Sequence, residues 1–224
     1  MGNLSEFLME ELNVATAFTI PIFGGIEVAE STVISWVIMA IIVILTLVLT
    51  RNMRVEKPGK LQVGVEYAVT ALQNLVRGII GHEGERYVPY LSTVLVFLGI
   101  SNIFAIFGMK PPTKDLNVTA ALALMSIILV QAASIRQNKV GGWLKGFTKP
   151  SKVITPLNVM ELAIRPLSLC MRLFGNVMGA FVVMKLLEHL VPVILPAVFS
   201  LYFDFFDGLL QAYVFVFLTG LYIK

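Results

Sequence analysis

The sequence predicts an all-α integral membrane protein, with about five transmembrane helices, one interfacial helix, and the last two spans forming a long, strongly tilted hairpin. Three observations lead to this class. Of the 224 residues, 57% are hydrophobic and 14% charged, against roughly 45–50% and about 25% in soluble domains. A body of this size keeps a large share of its surface in contact with solvent, so that much apolar surface calls for a lipid solvent. Three stretches, 31–50, 87–109 and 116–135, carry no charge, and each is long enough as helix to cross a hydrocarbon core of about 30 Å. Two longer apolar segments follow, 153–189 and 190–223, broken by only a few ionisable residues. Lipid offers no partner to backbone N–H and C=O groups, so every span is a helix.

The elements follow in order along a single multi-pass domain, 1–224. Segment 1–30 holds Glu6, Glu10 and Glu11, and no basic residue precedes Arg51. That is the reverse of a secretory n-region, and the segment is expected to be retained on the outer side. Span one, 31–50, is followed by Arg51, Arg54, Lys57 and Lys60, which place that end in the cytoplasm. In 61–80, Val65, Ala68, Val69, Leu72, Val76 and Ile79 recur at helical spacing, with Glu66, Gln73, Asn74 and Arg77 on other faces. This is an interfacial helix on the cytoplasmic surface or a packed connecting helix. Span two, 87–109, returns outward to a loop with Lys110 and Lys114 beside Pro111 and Pro112. Span three, 116–135, ends at Arg136, Lys139, Lys145, Lys149 and Lys152, again inside. Spans four (153–189) and five (190–223) are too long to stand upright and are expected to tilt or kink. Five crossings put the N-terminus outside and the C-terminus in the cytoplasm.

The net charge of +3 is too balanced to suggest a nucleic-acid partner. One cysteine, Cys170, excludes an internal disulfide, and His82 and His189 lie too far apart for the usual zinc arrangements. The informative charges are those inside spans, because an ionisable group in mid-bilayer is costly and marks function by default. Span four carries Glu161, Arg165, Arg172 and Lys185, and span five carries Asp204 and Asp207. Glu161 and Lys185 are near enough to the ends to snorkel.

Arg172 lies near the centre of its span and keeps its charge at any accessible pH. Ser168, Arg172 and Asn176 share a face at i, i+4 spacing, with Gly179 beside them. Gly175 and Gly179 form a small-xxx-small pair that permits close approach of another helix. A fixed cation beside such a surface implies a partner that brings the negative charge. If spans four and five turn near Val191, equal depth sets Arg172 opposite Gln211, Asp207 beside Gly175 and Asp204 beside Met178. Asp204, Asp207 and Gln211, at i, i+3 and i+7, then read as one face lining a cation path from outside; the alternative is pairing of the two carboxylates with basic residues of span four. On the cytoplasmic side, Ser168, Arg165 and Glu161 suit a second half of the path.

The run from Arg165 to Asn176, Arg-Pro-Leu-Ser-Leu-Cys-Met-Arg-Leu-Phe-Gly-Asn, resembles the signature of subunit a of F-type ATP synthases. Lys110 to Leu124, Pro156 to Glu161 and Gln211 to Phe215 agree with that family in the same order, so the resemblance covers roughly the last 60% of the chain. It implies a membrane stator half of a rotary motor lying against a ring of c subunits, each with a mid-membrane carboxylate. It further implies association with the b subunits of the peripheral stalk and the remaining ATP synthase subunits. Arg172 matches the family's essential arginine, Asn176 its neighbouring asparagine and Gln211 the glutamine opposite. Asp204 falls where the family carries an acidic or histidine side chain, whereas Asp207 is less typical. Many members continue the run with Ala-Gly-Glu, where this chain has Gly179, Ala180 and Phe181. The carboxylate usual on span four is therefore missing, and Asp207 is expected to replace it.

The implied role is ion translocation, H+ or Na+, through two offset half-channels coupled to ring rotation, with no catalysis of bond chemistry and no bound cofactor or metal. The alternative class is a self-contained secondary transporter or permease subunit, disfavoured by the lack of an internal repeat. No hydrolase or metalloprotease motif is present. A bacterial plasma membrane is expected rather than a thylakoid.

Overall fold

A computed structural model describes residues 16–20, 26–51, 53–54, 58–107, 111–147, 155–190 and 198–223. Glu6, Glu10, Glu11, Lys57, Lys110, Lys149, Lys152, the expected turn at Val191, and Lys224 lie outside them. The molecule is a helical membrane protein with one short exception at its start. Strands β1 (Thr16–Ile20) and β2 (Ile26–Ala29) pair antiparallel, Phe18 opposite Val28, and β2 runs directly into the first helix.

Helix α1 (Glu30–Thr50) has 21 residues and no charge after Glu30. At 1.5 Å per residue it reaches about 31 Å, the thickness of the hydrocarbon core. It buries one narrow face, Ile34, Ser35 and Ile38, and presents the rest outward. The Thr46 and Thr50 hydroxyls donate to carbonyls one turn back at 2.8 and 2.7 Å, leaving no unsatisfied O–H towards lipid.

Helix α2 (Lys60–Ile80) closes on Gly81, whose φ of 75° lets its N–H reach the Arg77 carbonyl at 2.9 Å. Only its C-terminal end packs inward. Val76 and Ile80 are buried, whereas Leu61 is 80% and Tyr67 77% exposed. The helix expected at 61–80 is thus present, anchored at one end.

A 3-10 stretch (His82–Tyr87) leads to α3 (Val88–Ile103), which is 16 residues long and continues as a 3-10 turn through Phe107. The α-helix is therefore shorter than the charge-free stretch 87–109, and a tighter winding completes it. About 24 Å of α-helix and about 8 Å of 3-10 helix still match the core thickness. Helix α3 is central: Val88, Leu91, Val94 and Leu98 are all buried among the other helices.

A 3-10 turn (Pro112–Lys114) then leads to α4 (Leu116–Phe147). Asp115 caps it, accepting from the Asn117 N–H at 2.9 Å, and its second oxygen accepts from Ser31 on α1. The helix runs past the expected end at 135 and breaks at Lys139, with φ 57° and ψ 161°. There the chain reverses, because Trp143 Nε1 donates to Gln131 Oε1 at 2.9 Å, a separation of about 18 Å in an uninterrupted helix.

Helix α5 (Thr155–Leu190) spans 36 residues with Pro166 inside it. At about 54 Å it exceeds the core thickness, the excess length read from the sequence. The last helix is described from Val198, is wound as a π turn over Leu201–Asp207, and continues as α6 (Gly208–Ile223). Among the described residues, four helices are long and apolar enough to cross a membrane: Glu30–Thr50, Leu116–Lys139, Thr155–Glu188 and Val198–Ile223.

One core joins α2 to α6. Val76 and Ile80 of α2, Leu91 and Leu98 of α3, Ile127 of α4, Leu169 and Leu173 of α5, and Phe215 and Val216 of α6 form a continuous cluster. Gly220 is a point of close approach between α2 and α6: a Cβ there would lie 2.9 Å from Ile79 Cγ2 and 3.2 Å from Ile80 Cγ1. Gly220→Val is expected to lower stability by about 1–3 kcal/mol through overpacking. Gly78→Ala, with nothing within 4 Å of the new methyl, serves as the neutral control. Thermal unfolding of the purified, detergent-solubilised complex measures both, and equal midpoints would contradict the notch.

Candidate functional site

Helix α5 has two faces. Leu169, Cys170 and Leu173 turn into the core, and Cys170 Sγ rests 3.7 Å from Thr119 Oγ1. The opposite face is exposed and runs through Ile164, Leu167, Ser168, Met171, Arg172, Gly175, Asn176, Gly179 and Val183. The i, i+4 pattern that placed Ser168, Arg172 and Asn176 together therefore corresponds to one outward stripe. Among the described residues Arg172 makes no hydrogen bond and no ion pair. A Cβ built on Gly175 or Gly179 would meet nothing within 4 Å. No helix of this chain uses the small-residue notch.

Asn176 is half of the link between α5 and α6. Its Nδ2 donates to Gln211 Oε1 at 2.8 Å, and Gln211 is only 3% exposed. The equal-depth count set Gln211 opposite Arg172, and the hydrogen bond joins it to Asn176, one turn further along α5. The two helices thus meet in a register displaced by one turn from the count made for a short turn near Val191. Counting from the observed bond brings Asp207 level with Ala180 and Asp204 level with Val183.

Both carboxylates sit in the π turn and are half-buried. The Ser200 hydroxyl donates to Asp204 Oδ2 at 2.6 Å. A π turn closes i→i+5 hydrogen bonds, so residues three apart no longer lie above one another, and Asp207 rotates away from the line through Asp204. The turn ends at a polar clasp. Asn102 Nδ2 donates to the Gly208 carbonyl at 2.8 Å, while its Oδ1 accepts from the Thr113 hydroxyl at 2.9 Å. Gly208 is needed for this approach, since a Cβ there would lie 2.8 Å from the Asn102 Cβ. Asn102 and Thr113 were not singled out from the sequence. The available signal was a wholly buried amide inside an otherwise apolar span, which must find partners.

Towards the other end of α5, Glu161 Oε1 accepts from Arg165 Nη2 at 2.6 Å and from Nε at 3.1 Å. The Arg165 guanidinium also lies 4.8 Å from the centre of the Tyr222 ring. Glu161 is thus held by an i, i+4 ion pair, with Ser168 exposed two turns nearer to Arg172. Beyond Asn176, Lys185 pairs with Glu188 at 2.9 Å. Phe181 lies beneath the Lys114 ammonium, 3.4 Å from ring centre to Nζ. Among the described residues no cluster of His, Cys, Asp and Glu is arranged to hold a metal ion.

Comparison with known proteins identifies the family. Residues 32–224 match the family model described as ATP synthase A chain. ATP synthase subunit a of Moorella thermoacetica is 37% identical over 201 residues, which is 89% of this chain and 91% of that protein. ATP synthase subunit a 1 of Hahella chejuensis is 34% identical over 201 residues, covering 89% and 85%. The sodium ion specific ATP synthase subunit a of Propionigenium modestum is 31% identical over 216 residues, covering 89% and 74%. With the match running through both the arginine-bearing helix and the last helix, the chain belongs to the ATP synthase A chain family.

Proposed function

We propose that this protein is the ion-translocating stator subunit of an F-type ATP synthase, set in a bacterial plasma membrane against a ring of c subunits. The observation that carries the reading is Arg172. It is a permanent cation on the exposed, mostly apolar face of α5, without an internal counter-charge among the described residues. Such a group needs an anion from outside the chain. Gly175 and Gly179, one and two turns on, leave room for a helix that carries one.

The mechanism follows from electrostatics. A ring carboxylate crossing lipid must be neutral, with H+ or Na+ bound, because an unpaired anion there is prohibitively costly. Beside Arg172 it ionises, since the guanidinium stabilises the carboxylate and the cation leaves by one half-channel. Reloading from the other half-channel neutralises it again and lets it re-enter lipid. The fixed charge of Arg172 repels cations and so blocks a direct leak between the two half-channels. Ion flow is thereby tied to ring rotation. Asn176 and Gln211 hold α5 and α6 in register beside the arginine. Asp204 and Asp207 supply the polar lining of the outer half-channel, while Ser168 and Glu161 lie along the inner one. The subunit makes and breaks no covalent bond. Its partners are the c-ring, the b subunits of the peripheral stalk and the remaining synthase subunits.

Five crossings, with α3 as the second, place the N-terminus outside and the C-terminus in the cytoplasm, in keeping with Arg51, Arg54 and Lys60 after α1 and Arg136 and Lys139 in α4. The Propionigenium relative is sodium ion specific by name, and the ion carried here is H+ or Na+.

Arg172→Ala abolishes ion-driven ATP synthesis while the complex still assembles. Synthesis in membrane vesicles from this variant at the normal rate would reject the assignment. Replacing both Asp204 and Asp207 by asparagine slows uptake from the outer side by roughly tenfold, equivalent to about 1.4 kcal/mol on the barrier. Passive ion flux through the membrane sector, measured in each direction, tests this, and an unaltered flux would make the two carboxylates structural.

A further inference from the structure

A π turn inserts one extra residue into the α-helical ladder, and such turns are rare. The turn Leu201–Asp207 ends at Gly208, whose N–H points back to the Phe203 and Phe205 carbonyls while its own carbonyl accepts from Asn102 Nδ2 at 2.8 Å. Asn102 is 3% exposed, and its other partner, Thr113, is wholly buried. The turn packs against α3 and the 3-10 extension of α3. One turn before Asn102, Gly99 faces the same junction, since a Cβ there would lie 3.4 Å from Leu209 Cδ2. The start of α6 is therefore seated on α3, and the amide of Asn102 is the directional part of that seat.

The consequence is rotational. Each residue of an α-helix turns the chain through about 100°. Absorbing the extra residue into regular α winding rotates the residues ahead of Gly208 by up to about that angle. In the π turn Asp204 and Asp207 are half-buried, whereas Leu201, Tyr202, Phe205 and Phe206 are exposed. The winding thus decides which side chains occupy the inward half. Asp207 adjoins Gly208 and moves little on relaxation, and Gln211 stays bonded to Asn176. Asp204 swings away and its neighbour Phe205 takes its place. The Ser200 hydroxyl bonded to Asp204 belongs to the same rotating segment and does not oppose the motion.

We propose that Asn102 is a positioning residue for the outer half-channel: its grip on the Gly208 carbonyl keeps the π turn wound and thereby aims Asp204 along the ion path. The inference rests on the stator reading above and goes beyond it, because Asn102 acts through the winding of the last helix and not on the ion. Losing the grip takes Asp204 off the path and leaves Asp207, Gln211 and Arg172 where they are. The effect falls on the ion concentration needed for half-maximal flux.

The test uses the whole synthase in proteoliposomes at constant membrane potential. ATP synthesis is followed while outer-side H+ is varied at fixed Na+, and then Na+ at fixed pH. Asn102→Leu, which removes both donor and acceptor, raises the half-saturating concentration of the driving ion by about threefold, and Asp204→Asn does the same in the parent. The two do not multiply. Once Asn102 is replaced, Asp204→Asn adds less than about 1.5-fold, whereas Asp207→Asn keeps its full effect. Gly208→Ala, whose Cβ would stand 2.8 Å from the Asn102 Cβ, breaks the same contact from the other side and reproduces this pattern. It carries the test should Asn102→Leu fail to assemble. Adding Phe205→Asp to the Asn102→Leu, Asp204→Asn pair returns the half-saturating concentration towards the parent value, and adding it to Asp204→Asn alone does not. A helix that is loosened but still wound as before gives equal factors for Asp204→Asn with and without Asn102, and that result overturns the proposal. An assembled Phe205→Asp variant without this selective gain overturns it as well. If Arg172→Ala stays coupled, the stator reading itself fails, whereas a blocked Arg172→Ala with equal factors for Asp204→Asn removes this inference alone.

Discussion

The rest of the architecture turns on one electrostatic requirement, a guanidinium kept charged on an exposed, mostly apolar helix face. Arg172 cannot discharge by losing its proton, and α5 offers it no anion among the described residues. The helix therefore has to be fixed so that its neutral face carries the packing. Leu169, Cys170 and Leu173 do this against the core, and the neighbouring turns on the outer face are left to Ser168, Gly175 and Gly179. An acidic residue placed within this chain to satisfy the arginine would stabilise the subunit and remove the attraction for an external carboxylate.

Packing around that helix relies on buried polar groups that are mutually satisfied. The Asn102 amide spans from Thr113 to the Gly208 carbonyl, so α3, the Pro112–Lys114 turn and the last helix meet at one side chain. This clasp sits at the lower boundary of the π turn. Extra carbonyl groups loosened by such winding need donors in a lipid environment. Asn176 and Gln211 perform the matching task between α5 and α6. Each contact is short range and directional, which fixes rotation and register where apolar packing alone permits sliding.

Much of this was legible in the sequence for physical reasons. Charge-free runs of membrane length identify spans, because no other solvent accepts them. The spacing of Ser168, Arg172 and Asn176 identifies a common helix face, because helical periodicity is rigid. The features that stayed hidden depend on contacts distant in sequence. Nothing local at Leu201–Asp207 distinguishes π from α winding, since its partner Asn102 is on another helix. The reversal at Lys139 places a non-glycine at φ 57°, a conformation for which lysine gives no signal and which the Trp143–Gln131 bond helps to hold. The one-turn offset of Gln211 is set by its hydrogen bond to Asn176, a contact across 35 residues that an equal-depth count does not contain. The pairing of Thr16–Ile20 with Ile26–Ala29 is not legible in the sequence, because hydropathy over so short a segment is too weak to show alternation. The tie between Lys114 and Phe181 joins positions 67 residues apart.

Helix α2 has a mechanical consequence. It extends over about 31 Å, and among the described residues its buried apolar anchor lies at Val76 and Ile80, beside Gly220. A rod clamped at one end is a lever. Load applied to its free end, around Leu61 and Tyr67, bears on the notch at Gly220, and Gly220 stands on the same helix as Gln211. A stator must withstand the reaction torque of its rotor. In this fold, force entering through the arm of α2 is delivered along α6 to the turn that aligns the arginine helix, so stiffness at Gly220 sets how firmly Arg172 is held in place.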